Sequence, residues 1–396
     1  MDFRFTPEQE AFRKEVRDFA ENEVPQRWKE LAYTIWEEDD ESWEITRDWN
    51  RKLGQKGWLA LTWPREYGGL EGSAIEQLIL DEEMARIGTP SGVETMMTIS
   101  WVGNTIKIFG TEEQKKSYLL PAAKGEIVFC CGYSEPGSGS DLASVQTSAV
   151  EDGDVYVVNG QKVWTTVAHR ADYCWLAART DPDAPKHKGM SMFVVDMNSP
   201  GITVRPLINV LGFHSFNEVF FDNVRVPKEN LVGVKNNGWY QLAVALDFER
   251  SGVGIPVQIE RTIKGLVDFC KQTKRNGKPL AEDPLIQSKL ANLAVQARTL
   301  KFLCYRIPWM HTQNKLPNYE ASITKVFGSE LLVRTANVGM EILGPYSQID
   351  RGSKWAALQG RITRSYLMSF SINIGGGTSE IMRNIIAMRG LGLPRK

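Results

Sequence analysis

The chain has 396 residues, more than one ordinary hydrophobic core holds, and this length predicts two or three packed units. Hydrophobic residues make up 42% of the sequence, and 47 basic residues are balanced by 48 acidic ones, for a net charge of −1. This balance, with no basic stripe carrying aromatic residues, argues against a nucleic-acid-binding protein.

The cysteines, the histidines and the hydropathy of the sequence further restrict the class of protein to which it can belong. The five cysteines are odd in number and show no Cys-x-x-Cys spacing, so reduced thiols in an intracellular protein are expected. The four histidines lie far apart in the sequence, which predicts no metal site. There is no secretory signal pattern and no apolar run near the ~18 residues of a membrane span. We therefore expect a cytoplasmic globular protein.

The first third of the chain, residues 1–125, is predicted to be a helical domain. Thr6–Gln9 is a capping box with Pro7 at the first helical position, and apolar residues follow at helical spacing. A loop is expected at Trp63–Gly69, and helices resume near Ile75–Ile87 and after a second capping box, Thr111–Gln114. Helical character fades near Gly125.

Residues 126–234 are predicted to form a small antiparallel β-barrel or sandwich. Short β-prone runs alternate there with turn signals such as Asn159-Gly160, and no helical pattern intervenes. The runs are Ile127–Cys131, Val155–Val158, Tyr173–Ala177, Met190–Val195, Val204–Leu207 and Val219–Phe221. Residues 235–396 are helical again, so the expected class is α+β in the order α–β–α, with a helical bundle at the C-terminus.

The densest local signal is the loop Cys131–Asp141, which is rich in glycine and hydroxyl side chains. Such a loop exposes backbone N–H groups that suit phosphate or flavin oxygens, although a glycine- and serine-rich segment by itself is usually only a loop. It is not a Walker A loop, because no Gly-Lys-Ser/Thr follows the glycines.

Four segments in order resemble motifs of the acyl-CoA dehydrogenase family, and the resemblance runs from end to end. They are Tyr133–Asp141, Asn159–Thr166, Phe220–Pro227 and Gly377–Asn384. The resemblance implies a three-domain α–β–α fold, noncovalently bound FAD, an acyl-CoA substrate and electron transfer to an electron-transfer flavoprotein. It also implies an oligomer, most simply a homotetramer built as a dimer of dimers.

The same resemblance implies roles for individual residues. Ser134 matches a position at the isoalloxazine edge, and Ser140 a hydroxyl near the flavin and the CoA chain. Trp164 matches the indole that covers one face of the ring, and Thr166 the position that reaches N5, the hydride acceptor. The full set of implied cofactor contacts is Cys131, Tyr133, Ser134, Gly139, Ser140, Trp164, Thr165, Thr166, Gly344, Thr378 and Glu380.

The catalytic base is the most informative position. Many family members carry a glutamate just before the C-terminal Gly-Thr, but here that position is Gly376. A minority, similar to isovaleryl-CoA and long-chain dehydrogenases, places the glutamate before an arginine on a C-terminal helix, and Glu249 matches it. Leu242, Leu246, Glu249 and Val253 also share one helical face, and an apolar stripe raises a carboxyl pKa towards the range useful to a base. The competing interpretation is a Glu249–Arg250 pair at the protein surface or an ion pair at the edge of the core.

The neighbouring positions set expectations for the substrate. Asp247, Arg250, Gly375 and Gly376 are implied substrate contacts, along with Ser140. Glycine keeps the backbone N–H with which the family polarises the thioester carbonyl, but it removes bulk beside the acyl chain. We therefore expect a branched, alicyclic or aromatic acyl group. Pro256 is expected to interrupt the helix that follows Glu249.

Two departures from the family pattern keep alternatives open. Family members read roughly Gln-x-x-Gly-Gly-x-Gly where this chain has Glu341–Ser347, in a segment that reaches the FAD of a neighbouring subunit. The adenosine-side arginine has only Arg275 as its nearest match. One alternative is therefore a catalytic or partner subunit of a mixed tetramer. Another is a relative that uses oxygen, an oxidase or a flavin monooxygenase.

Overall fold

The structure is a computed structural model that describes residues 3–31, 37–90, 92–247, 252–315 and 317–394, with the backbone alone over 243–247. The helices in chain order are α1 Pro7–Glu23, α2 Gln26–Leu31, α3 Asp40–Gln55, α4 Ala74–Ile87, α5 Val93–Thr95, α6 Asn104–Phe109, α7 Glu112–Ala123, α8 Gly238–Asp247, α9 Gly254–Gln272, α10 Pro284–Thr312, α11 Tyr319–Leu343, α12 Arg361–Ile372 and α13 Ser379–Ile385. A π-helix over Met96–Gly103 joins α5 to α6.

The strands lie between α7 and α8, apart from one short hairpin. They are β1 Phe129–Gly132, β2 Ser148–Asp152, β3 Val155–Lys162, β4 Tyr173–Arg179, β5 Met190–Asp196, β6 Ile202–Leu207, β7 Phe216–Pro227, β8 Leu231–Val232, β9 Lys274–Arg275 and β10 Lys278–Pro279. The sequence of helices, sheet and helices confirms the predicted α–β–α order. None of the described helices is long and apolar enough to cross a bilayer.

Both predicted capping boxes are present. The Thr6 hydroxyl accepts the N–H of Gln9, and the Gln9 side chain accepts the N–H of Thr6. Thr111 and Gln114 repeat this exchange at the start of α7. Each box satisfies N–H groups that the helix itself leaves unpaired, which explains why these four-residue patterns located two helix starts from sequence.

The eight-stranded sheet has the order β6–β7–β3–β2–β4–β5–β8, with β1 beside β4. Most pairs are antiparallel, but β1 and β2 both run parallel to β4, which the prediction of an antiparallel module did not include. The long connection from Gly132 to Tyr173 makes the parallel pairing of β1 with β4 possible. All six predicted strands are present, and β2 and β8 were missed because one is polar and the other has two residues.

The chain divides into two compact units, which are described separately. One comprises residues 1–36, 73–89 and 250–396, and the other residues 37–72 and 90–249. The second unit, here called the sheet unit, contains β1–β8. Strand β4 is buried on both of its faces: Trp175 and Ala177 pack into one hydrophobic core, and Cys174 and Leu176 pack into another. The alternation follows from the two-residue period of a strand.

The first unit, here called the helical unit, is tied together by charges as well as apolar contacts. The carboxylates of Glu82 and Glu83 on α4 are almost completely buried. Arg17 on α1 donates to Glu83 at 3.0 Å, and Lys301 on α10 donates to Glu82 at 2.6 Å. Because buried carboxylates are costly without partners, these pairs fix how α1 and α10 lie on α4.

The region after α8 corrects two expectations. Gly252 has a φ of +60°, so a single helical face does not continue to Val253, and that part of the prediction was wrong. Helix α9 begins at Gly254, which places Pro256 in its first turn, where a missing N–H costs nothing, rather than at a kink inside a helix.

Candidate functional site

The loop after β1 and the turn after β3 lie side by side, although about thirty residues separate them in the sequence. Cys131 is buried in β1, and Tyr133 and Ser134 leave that strand half-buried. The N–H of Val163 donates to the Ser134 carbonyl at 2.9 Å, and Lys162 Nζ donates to the Tyr133 carbonyl at 3.1 Å. The two motifs that carry most of the expected flavin contacts therefore meet at one place in the sheet unit.

A buried ion pair fixes this junction. Lys162 Nζ lies 2.8 Å from Glu135 Oε1, and Lys162 has no exposed surface. The Glu135 carboxylate also accepts the N–H of Gln146 at 2.6 Å and of Thr147 at 2.9 Å. Burial alone would raise the pKa of Glu135, but Lys162 and the two N–H donors outweigh it and hold the pKa below its usual value.

The turn after β3 presents an indole to solvent. Trp164 has a φ of +59° and is 62% exposed, and Val167 has a φ of +51°. Such angles are rare for residues with a Cβ, above all for a β-branched one, so the surroundings must hold the turn. The N–H of Thr165 donates to the Asn217 carbonyl at 3.0 Å, and the N–H of Val167 to the Ser215 carbonyl at 3.0 Å.

The donors at this turn fit a flavin. Neither the N–H of Trp164 nor that of Thr166 donates to a backbone carbonyl in the described part of the chain. An exposed indole next to free N–H donors matches a planar ring with a polar edge, such as isoalloxazine. Because 62% of Trp164 is exposed, its indole is available for stacking, and its neighbour Phe216 lies nearly perpendicular to it at 6.0 Å between centroids.

The glycine-rich part of the loop is open. No atom lies within 4 Å of where a Cβ would stand on Gly137 or Gly139, and Ser140 is exposed. The loop is held from within, because Glu135 and Ser138 exchange backbone hydrogen bonds and the Ser138 hydroxyl donates to the Asp141 carbonyl at 2.8 Å. A groove of about 450 Å³ lies beside it. Backbone and hydroxyl groups can therefore approach a ligand without a side chain in the way.

The C-terminal candidate residues belong to the helical unit. Gly376 and Gly377 have φ values of +65° and +95° between α12 and α13. The Thr378 hydroxyl accepts the N–H of Ile381 at 3.2 Å and so caps α13, and Glu380 is exposed in its first turn. A side chain at Gly377 would be strained by the φ of +95°, and Met382 Cε, 2.4 Å from the Cβ position, would have to move.

Gly376 differs from its neighbours in having open surroundings. Gly375 is exposed, and a Cβ there would lie 3.6 Å from the Ser371 carbonyl, an ordinary contact. No atom lies within 4 Å of a Cβ built on Gly376, and its N–H donates to no backbone carbonyl among the described residues. The position therefore offers both free space and a free donor.

The Glu341–Ser347 segment, which departs from the family pattern, begins at the end of α11 and contacts other residues of the helical unit. Gly344 has a φ of +58° at the end of α11, and the Arg275 guanidinium donates to the Ile342 carbonyl at 3.3 Å. Glu341 is paired with Lys289 on α10. The two positions noted as departures, Arg275 and the Glu341–Ser347 segment, are thus neighbours in the helical unit.

The expected base lies outside the described residues. Glu249 and Arg250 fall in the gap between 247 and 252, and only the backbone of Asp247, the last residue of α8, is described. Their roles remain predictions.

Sequence reasoning missed a polar cluster behind the Trp164 turn. His169 and His214 are 45 positions apart, but their rings stack at 3.7 Å between centroids with 15° between the planes. Asn217 bonds to both rings. Separation along the chain suggested independent histidines, and no local pattern signals that β3 and β7 bring them together. Among the described residues, no cluster of three or more potential ligands could hold a metal ion.

Comparison with known proteins identifies the family. Three family models match in order: the acyl-CoA dehydrogenase N-terminal domain over residues 6–126, the middle domain over 130–224 and the C-terminal domain over 236–391. The Mycobacterium tuberculosis protein described as acyl-CoA dehydrogenase FadE26 is 38% identical over 403 residues, covering 100% of this chain and 99% of that protein.

Two solved structures cover the whole chain. One is described as the Tcur3481-Tcur3483 steroid ACAD, with a TM-score of 0.89, 34% identity and 100% of each chain covered. The other is the ChsE4-ChsE5 complex from Mycobacterium tuberculosis, with a TM-score of 0.89, 37% identity and 100% of each chain covered. Members of the family are FAD-dependent flavoproteins, and the donors at the Trp164 turn fit that cofactor. From these matches and this site, the chain belongs to the acyl-CoA dehydrogenase family and is an FAD-dependent enzyme.

Proposed function

We propose that this enzyme removes a proton from Cα and a hydride from Cβ of a bulky acyl-CoA thioester, giving the 2-enoyl-CoA. The acyl group is branched, alicyclic or aromatic near Cβ. The observation that carries this proposal is the open space at Gly376, where no atom lies within 4 Å of a would-be Cβ. The similar structure described as a steroid ACAD supports a ring-bearing substrate.

Several residues of this chain are proposed to hold the cofactor. FAD, when bound, supplies the hydride acceptor. Trp164 covers a ring face, Thr166 donates to the polar edge, and Ser134 contacts that edge from the neighbouring loop. The remaining proposed contacts are Cys131, Tyr133, Gly139, Ser140, Thr165, Gly344, Thr378 and Glu380.

Glu249 is proposed as the base that takes the α-proton. The alternative position for a family base is Gly376, which has no carboxylate, so the base must come from elsewhere in the chain. The Gly376 N–H is proposed to donate to the thioester carbonyl, where negative charge develops as the proton leaves. Asp247, Arg250 and Gly375 are proposed substrate contacts, and Ser140 is proposed to reach the CoA chain. A positioned base typically contributes about 10²–10⁴-fold to the rate.

The first test is an anaerobic titration of the purified enzyme with straight, branched, alicyclic and aromatic acyl-CoAs, followed by the loss of oxidised-flavin absorbance. Bleaching by a bulky class, abolished in Glu249→Gln, is the expected result. Rapid bleaching by straight-chain substrates alone would overturn the proposed substrate class. Retained bleaching in Glu249→Gln would overturn the base.

A matched pair of variants tests the role of the open space. Gly376→Asn adds bulk with little backbone strain, because asparagine tolerates positive φ better than other residues. We expect kcat/KM for bulky substrates to fall about tenfold relative to straight-chain ones, a change of about 1.4 kcal/mol. Gly352→Asn is the control, since Gly352 also has positive φ and open surroundings in the helical unit. An equal change in both variants would argue against a substrate wall at Gly376.

The electron acceptor is proposed to be an electron-transfer flavoprotein. Fast oxygen consumption with peroxide formation during turnover would instead identify an oxygen-using relative. The anaerobic titration and an aerobic repeat with an oxygen electrode distinguish the two.

A mixed oligomer is a second candidate for the physiological assembly. Both solved structures cited above are described with two different chain names. In this chain, Glu341 stands where family members carry the glutamine that reaches a neighbour's FAD, and it is paired with Lys289 instead. The chain purified alone would then hold clearly less than one FAD per chain, whereas a ratio of one in a homotetramer would rule this candidate out.

A further inference from the structure

Asn217 stands directly behind the exposed Trp164 turn. Its side chain has no exposed surface. Its Nδ2 donates to the Thr165 carbonyl at 2.9 Å, and its own backbone carbonyl accepts the Thr165 N–H at 3.0 Å. Asn217 therefore forms hydrogen bonds with both the N–H and the carbonyl of Thr165, which lies between Trp164 and Thr166 and is, like them, a proposed flavin contact.

The hydrogen bonds fix which way the Asn217 amide faces. A carbonyl can only accept, so the group that meets the Thr165 carbonyl is the amide nitrogen. The amide oxygen must then face His214 Nε2, which lies 2.6 Å away and acts as the donor. The second amide hydrogen points to His169 Nδ1 at 3.2 Å, which must be an acceptor. Asn217 thus uses both amide hydrogens and one acceptor site of its amide oxygen in a single orientation.

The charge state of His169 agrees with this assignment. Burial, followed by the neighbouring His214, lowers the pKa of His169 to about 4. The ring is therefore neutral near pH 7, and its Nδ1 is free to accept. Stacking on His214 holds the ring in place.

The turn needs such support because its backbone is strained. Trp164 and Val167 both adopt positive φ, a conformation that is unfavourable for residues with a Cβ. Two backbone hydrogen bonds, accepted by the carbonyls of Ser215 and Asn217, hold one side of the turn. The Asn217 side chain adds a third bond that the sheet ladder does not supply.

We propose that Asn217 is a positioning residue that holds the Trp164–Thr166 turn in its flavin-binding conformation, with its amide orientation set by His169 and His214. This inference rests on the proposed flavin contacts of Trp164 and Thr166. Asn217 itself is buried behind the turn and acts through Thr165.

The test compares two buried amides that each donate to a backbone carbonyl. Asn217→Ala removes the side-chain hydrogen bond to the Thr165 carbonyl. Gln241→Ala is the control, because Gln241 is also fully buried in the sheet unit and its Nε2 donates to the Val232 carbonyl at 3.0 Å. Readouts are the FAD dissociation constant, the position and fine structure of the visible flavin bands, and the thermal midpoint.

We expect Asn217→Ala to weaken FAD binding about tenfold or more and to shift the flavin bands. Gln241→Ala should lower the thermal midpoint but keep the wild-type FAD affinity and spectrum. Equal FAD affinity and spectra in both variants would overturn the inference. A wild-type protein that binds no FAD, either alone or co-expressed with a partner chain, would instead overturn the proposed function, and this inference with it.

A second pair keeps the inference testable if Asn217→Ala does not fold. His214→Phe keeps a ring against His169 but cannot donate to the Asn217 amide oxygen, whereas His214→Gln can. The expected result is a shifted flavin spectrum and weaker FAD binding in His214→Phe, with recovery in His214→Gln. Wild-type flavin properties in His214→Phe would contradict the proposed role of the histidines.

Discussion

Lys162 is a charged side chain with no exposed surface, and its Nζ has two acceptors, Glu135 and the Tyr133 carbonyl. Removing the ammonium would leave a buried carboxylate held only by backbone N–H groups. We therefore expect Lys162→Met to cost about 3–5 kcal/mol in the free energy of unfolding. The measurement is a thermal or urea unfolding curve of the sheet unit's transition.

A surface pair in the same unit provides the comparison for Lys162. Lys186 and Asp141 lie 2.6 Å apart, but both side chains are more than half exposed. Lys186→Met should cost less than about 1 kcal/mol, since solvent screens such pairs. Similar losses for the two variants would mean that the buried pair contributes no more than an exposed one.

Glu38 gives the sheet unit a pH dependence with a definite sign. Burial, reinforced by the neighbouring Glu94, raises the pKa of Glu38 from 4.5 to about 7 although Arg170 opposes the shift. The folded protein thus keeps a proton that the unfolded chain has lost. The resulting stabilisation is complete below about pH 4.5 and is lost as the pH rises through about 7.

Glu38→Gln should remove this pH dependence of the stability. Glutamine is neutral at every pH. The thermal midpoint of the variant should therefore rise relative to that of the wild type as the pH increases from 5 to 8. Glu44→Gln, at an exposed position of α3, should show no such gain. A constant difference between Glu38→Gln and wild type over this range would refute the raised pKa.

At the scale of elements, α11 contains two glycines with opposite expected responses to alanine. A Cβ on Gly339 would lie 2.8 Å from Ile362 Cγ2 on α12, closer than atoms can approach. A Cβ on Gly328 would meet Ile255 and Leu300 at 3.4 Å, an ordinary contact. The close approach of α11 and α12 therefore depends on Gly339 and not on Gly328.

The two alanine variants separate helix propensity from steric overlap. Gly328→Ala should be neutral or stabilise by up to about 1 kcal/mol, because alanine restricts the unfolded chain. Gly339→Ala should destabilise by about 1–3 kcal/mol despite the same propensity gain. Thermal unfolding followed by circular dichroism at 222 nm measures both, and a stabilised Gly339→Ala would show that α12 shifts without cost.

For the whole molecule, removal of FAD should lower stability. A ligand that binds only the folded state at 100 times its dissociation constant adds about 2.7 kcal/mol. The thermal midpoint of FAD-stripped protein should therefore fall and recover when FAD is added back. Riboflavin, which lacks the ADP half, is the control and should restore less. Unchanged midpoints with and without FAD would indicate that the folded chain does not bind it.

The sequence by itself determined which elements form and which family they belong to. The Thr6 and Thr111 capping boxes, the six apolar β-runs and the four motifs are local patterns, so short-range chemistry was enough to read them. β2 and β8 were missed because a short, largely polar strand and a two-residue strand carry no such pattern. The expected helical face through Val253 failed at Gly252, since a periodic pattern does not reveal where the backbone takes a positive φ.

Only the tertiary structure decided which residues stand together at the candidate site. The pairing of β3 with β7 brings Thr165 to Asn217 and stacks His169 on His214, and the Lys162–Glu135 pair sets the glycine-rich loop beside the Trp164 turn. These contacts join residues 27 to 52 positions apart. Their physical basis is strand register and burial, which depend on the whole sheet and leave no signal in any short segment of the sequence.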